Sequence, residues 1–140
     1  MSKFHRITSD APMLSDAVMD DEYVFLAGKC CTDVPGGEAA LGDIRAETKA
    51  AMEALGAVLA KVGHDFSDIV TARVFLTQGE DFDGMNEVYT QYFEPGAMPA
   101  RTCVGVTWMV GDCRVEIDGV ARRRDPKPRP AVPDQDSGRH

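Results

Sequence analysis

From Asp43 to Val62, residues suited to burial return every three or four positions: Ile44, Thr48, Ala51, Leu55, Val58 or Leu59, and Val62. That spacing predicts a helix with one dry stripe, and Gly63 is placed to stop it. The stretch "GEDFDGMNEVYTQYF" repeats the pattern with Phe82, Met85, Tyr89 and Tyr92 or Phe93 inward, ended by Pro95-Gly96. Two one-sided helices each need an apolar surface to cover, and the rest of the chain reads as strands. "EYVFLAGKCC" is a β-rich run closed by Gly28, and "SDAVMDDEYV" before it supplies a partner strand with Asp20-Asp21 as the turn. "IVTARVFLT" is β-branched and aromatic, and two more strands, Thr102 to Trp108 and Cys113 to Arg122, close the domain. The order ββαβαββ predicts an α+β fold, a mostly antiparallel sheet with both helices on one face. The other sheet face also carries apolar residues, and the chain has no third helix for it. A partner subunit is the economical cover.

The length of 140 residues fits one domain with a substantial core. The domain is expected to span residues 1–123. Residues 124–140, "RDPKPRPAVPDQDSGRH", hold four prolines and one large apolar residue, Val132, and read as a flexible extension. No apolar run approaches a membrane span, and "MSKFHRITSD" lacks the apolar core of a signal peptide, so a cytoplasmic location is expected, with no membrane partner. Residues 1–123 hold 11 basic and 20 acidic side chains, net −9. Such a body repels phosphate backbones and argues against a nucleic-acid partner, while leaving room for one local anion pocket. Cys30, Cys31, Cys103 and Cys113 show no CxxC, and reduced thiols are the default. Cys103 and Cys113 read as small hydrophobes. His5, His64 and His140 have no ligand spacing, so no metal is expected.

"PARTCVGVTWMVGDCRVEIDGVA", Pro99 to Ala121, carries the chemistry. Arg101 follows Pro99-Ala100 and presents a five-donor fork suited to a carboxylate; the plain alternative is an arginine paired with a local acid. Alternation in the last strand puts Cys113, Val115, Ile117, Gly119 and Ala121 on one face and Arg114, Glu116, Asp118 and Val120 on the other. Glu116 is either a solvated strand residue or an acid tuned by partial burial to act as a base. Lys29 and Cys30-Cys31 end a buried strand, either as a plain terminus or as pocket lining. Trp108 reads as core or interface packing.

"ARVFLT", "DFDGMNEVYTQYF", "PARTCVGV" and "VEIDGVA", in this order and spacing, resemble the Rid family of enamine/imine deaminases, once called L-PSP endoribonucleases. The resemblance covers about residues 10–123. It implies a chorismate-mutase-like fold and a homotrimer whose sheets form a central barrel, with clefts between subunits. It implies hydrolysis of 2-imino and enamine acids to 2-keto acids and ammonia, with a small carboxylate as substrate and no cofactor. Carried over by position, the family's carboxylate-binding arginine falls on Arg101, its water-positioning glutamate on Glu116, and its cleft cysteine on Cys103. Gly28 ends the pocket-lining strand, beside Lys29. The chain departs from the family pattern at several lining positions. Leu14 or Ser15 stands near a frequent tyrosine, Ala27-Gly28-Lys29 replaces a frequent Ser-Gly-Gln, and Gly105 stands where many members carry glutamate. Two other functions stay open, a non-catalytic carboxylate-binding or chaperone-like trimer and an RNA-cleaving enzyme.

Overall fold

The computed structural model describes residues 4–124. Among them the chain forms β1 (His5–Thr8), β2 (Ser15–Met19), β3 (Tyr23–Lys29), α1 (Ile44–Lys61), β4 (Ile69–Leu76), α2 (Phe82–Tyr89), β5 (Ala100–Gly105) and β6 (Val115–Arg122). The strands make one sheet in the order β1-β2-β3-β6-β4-β5. Every neighbouring pair is antiparallel except β4 and β5, which run parallel and are joined through α2. The α+β reading holds. The expected order lacked β1, whose four residues leave only Ile7 half-buried and show no alternation to read. The expected tail lies outside the described residues apart from Arg124, whose guanidinium is bonded to Asp65 and Asp68.

Local signals account for the helix ends. Asp43 caps α1 by accepting from the amides of Arg45 and Ala46, and Gly63 follows its last turn at φ +77°. Both helices pack on the same sheet face. Met52, Leu55, Val58 and Leu59 of α1 and Met85 and Tyr89 of α2 share one core with Val24, Leu26, Val74, Val115, Ile117 and Ala121. Burying each large aliphatic side chain contributes about 1.5–3 kcal/mol. Phe82, expected inside, is 43% exposed at the first turn of α2.

The last two strands are shorter than expected because their shared neighbour runs out. Leu76, the final residue of β4, pairs with Gly105 on one side and Val115 on the other. The chain between them leaves the sheet, with a tight turn at Val110–Asp112. Trp108 therefore sits in a connection rather than a strand, and its 70% exposure in the single chain excludes core packing. The opposite face of the sheet is open in the single chain, with Phe25 and Val104 both near half exposure.

Candidate functional site

Glu116 lies in the middle of β6, opposite Phe75 of β4, on the face away from the helices. It is half-buried, and among the described residues no donor is bonded to its carboxylate. Burial, followed by the nearby charges of Asp33 and Asp118, raises its pKa above the ordinary carboxylate value. Asp118, two residues on and on the same face, is by contrast held by Arg73 at 2.6 Å. Glu116 lines a pocket of about 200 Å³ with Phe75, Val106, Trp108, Met109 and Val110.

Gly28 leaves room for this carboxylate. The β3–β6 register slips between Leu26 and Lys29, so Ala27 and Gly28 form a bulge beside Glu116. A Cβ at position 28 would lie 2.7 Å from Glu116 Oε2. Lys29, expected to line the pocket, is buried, and its ammonium is taken by a buried ion pair with Asp16. Ala27 is half-buried at the bulge, whereas Leu14 and Gly105 are exposed, the latter closing β5.

Arg101 occupies β5, which has β4 on one side and stands last in the sheet. Its register partner is Ala72, a core residue, so the side chain leaves the sheet on the helix face. There Nη1 donates to Asn86 Oδ1 at 2.6 Å, and the guanidinium lies 4.9 Å from the Tyr89 ring centroid and 5.8 Å from that of Phe82. Among the described residues no carboxylate pairs with Arg101, so the alternative of an arginine tied to a local acid does not hold there. Cys103, two residues on and beside Val74, shares this face. Burial raises its thiol pKa, and the Arg101 charge opposes the rise.

Within one chain, then, Arg101 and Cys103 stand on the helix face, and Glu116 and Gly28 stand on or beside the open face. The structure brings each pair together but not the two pairs. Sequence reasoning missed Asn86. The signal was present, since Asn86 lies three residues before Tyr89 and so shares its side of α2. It also missed Glu47, a carboxylate fully buried on the apolar stripe of α1.

The model of the endoribonuclease L-PSP family matches residues 5–123. The chain belongs to this family, the Rid family. It is 35% identical to 2-iminobutanoate/2-iminopropanoate deaminase of Mus musculus over 107 residues, covering 76% of this chain and 78% of the relative. It is 43% identical to protein DfrA of Myxococcus xanthus over 109 residues, covering 76% and 82% of the two chains. Among solved structures, a YjgF-family protein of Neisseria meningitidis superposes with a TM-score of 0.73 at 25% identity, covering 87% of this chain and 96% of that one. Among the described residues no helix is long and apolar enough to cross a membrane.

Proposed function

We propose that this Rid-family protein is an enamine/imine deaminase that hydrolyses 2-imino acids to 2-keto acids and ammonia. The observation that carries the reading is Arg101, a positioned, half-buried guanidinium with no acid partner among the described residues. Such a fork takes a substrate carboxylate and fixes its orientation. An enamine substrate first tautomerises to the imine by gaining a proton on its β-carbon and losing one from its nitrogen. Glu116 holds a water and accepts its proton as the oxygen bonds to the imine carbon. Glu116 returns that proton to the nitrogen, completing the carbinolamine, whose hydroxyl proton then passes to the nitrogen as the C–N bond breaks, ammonia leaves and the ketone forms. Backbone near Cys103 serves the substrate nitrogen. No cofactor takes part.

The opposite facing of Arg101 and Glu116 makes a site between copies of the chain the natural arrangement. We take the assembly to be a homotrimer, with Arg101 of one subunit facing the Glu116 pocket of the next. The apolar open face, with Phe25 and Val104, supports that cover. We take residues 1–123 as the catalytic domain, acting on a small carboxylate substrate and not on nucleic acid.

The test generates 2-iminopropanoate with an amino-acid oxidase in the presence of semicarbazide. The protein is expected to lower semicarbazone formation and raise 2-keto acid. Equal trapping with and without the protein overturns the reading. A second function, a carboxylate-binding trimer without turnover, is favoured by the Arg101 half standing complete without Glu116. Calorimetric binding of a small carboxylate without any loss of semicarbazone distinguishes it. RNA cleavage is disfavoured by the net charge of −9 on residues 1–123.

A further inference from the structure

Three donors far apart in the chain meet beneath the connection that follows β5. Cys31 Sγ lies 3.8 Å from Cys113 Sγ and 3.8 Å from Glu47 Oε1. All three residues are at most 1% exposed, and their ligand atoms lie within 4.8 Å of one another. Thr32 Oγ1, half-buried, lies 3.7 Å from Cys113 Sγ.

Glu47 is the unusual member. Its Oε1 accepts from the Arg114 amide and its Oε2 from the Gly42 amide, each at 2.8 Å. Among the described residues no lysine, arginine or histidine forms an ion pair with it; the Arg114 guanidinium goes to Asp81 and Glu80. A carboxylate in the interior calls for a counter-charge; two backbone amides orient it, and the Arg114 charge that acts on it from a distance is shared with Asp81 and Glu80. In a tetrahedral site with sulfur at about 2.3 Å and oxygen at about 2.1 Å, neighbouring ligand atoms stand roughly 3.5–3.8 Å apart. The Cys31–Cys113 and Cys31–Glu47 separations match those edges, and the Cys113–Glu47 edge lies within 4.8 Å. Weak thiol hydrogen bonds account equally for the sulfur distances, but they bring no cation into direct contact with Glu47.

We infer that Cys31, Cys113 and Glu47 bind one borderline-soft divalent cation of the zinc class. On binding, two thiol protons pass to solvent and two thiolate–metal bonds form. The backbone amides of Arg114 and Gly42 hold the carboxylate ligand from behind. Thr32 or solvent takes the fourth position. The cation ties the turn at Cys31–Asp33 to the turn at Val110–Asp112. Met109, which packs with Cys31 and Cys113, also lines the Glu116 pocket, so the bound metal stiffens one wall of that pocket. This site stands independently of the deaminase reading.

The experiment uses the full chain, reduced, stripped with a chelator and titrated with Co²⁺ as a spectroscopic stand-in for zinc. One equivalent is expected to bind, with thiolate-to-cobalt charge-transfer absorption and the intense visible bands of tetrahedral cobalt, both erased by added Zn²⁺. Cys31→Ser and Cys113→Ser are each expected to weaken binding at least ~10-fold and diminish the charge-transfer band, whereas Cys103→Ser retains it. Should either serine variant fail to fold, the wild-type spectrum decides alone. Absence of the charge-transfer band in the wild-type protein overturns the inference. So does a band that persists unchanged in both folded variants.

Discussion

Arg101 and Glu116 stand beside the same strand, β4, on opposite sides of the sheet, and their surroundings differ in kind. Arg101 is held: Asn86 accepts from it and Tyr89 lies under its plane. Glu116 is unheld, half-buried among apolar side chains, and its pKa is raised by that burial. A fixed cation with its rotamer already chosen suits binding, since little freedom remains to be lost when a carboxylate arrives. A carboxylate whose ionised form is disfavoured by its surroundings suits proton transfer, because it accepts a proton readily. On the proposed reading the two halves serve different steps of one reaction, and each can be perturbed without touching the other.

The largest effect is expected from Arg101→Ala, which removes the held half. kcat/KM for 2-iminopropanoate in the semicarbazide assay is expected to fall about 10³-fold, with subunit mass and thermal unfolding little changed. Next, Glu116→Gln is expected to lower kcat about 10²-fold and to remove the acid limb of the pH profile. In the unmodified protein the proposed activity is expected to fall as pH drops through the raised Glu116 pKa, which lies above the ordinary carboxylate value. A wild-type acid limb that survives in Glu116→Gln would separate Glu116 from the proton transfer.

Gly28→Ala tests the contact between the bulge and the carboxylate. The added methyl meets Glu116 Oε2, and overpacking of this kind costs about 1–3 kcal/mol, read as a lower Tm. Pairing it with Glu116→Ala should recover much of that loss, while unrelated strain at the bulge would persist in the double variant. Asn86→Ala loosens Arg101 without removing it, and a roughly 10-fold rise in KM with kcat nearly kept is expected. The smallest effect concerns stability. An acid whose folded pKa is raised binds its proton more tightly folded than unfolded, so its contribution weakens as pH rises from the unfolded value through the folded one. Glu116→Gln is therefore expected to unfold slightly later than wild type at neutral pH and to match it in acid, by calorimetry.

Much of the fold was legible because its signals are local. The α1 stripe and its ends follow from spacing along one helix, and the capping role of Asp43 from its own side chain. The alternation of Cys113 to Ala121 placed Glu116 and Asp118 together, as the burial pattern of β6 records. β1 and the exposed position of Trp108 were not legible, because both depend on which strand lies alongside and how far it extends.

The chain alone determined the α+β class, the two helices, and the pair of charged residues on the last two strands, because periodicity and residue chemistry act within a few positions. Whether Arg101 and Glu116 share a face was decided only by the fold. Alternation orders side chains along one strand, but the relation between two strands depends on register, and here Ala72 beside Arg101 and Phe75 beside Glu116 put them three residues apart on β4, an odd step that sends them to opposite sides. The meeting of Cys31, Glu47 and Cys113 has the same origin: no spacing rule joins residues 82 positions apart, and only packing of α1 against the strand ends does so.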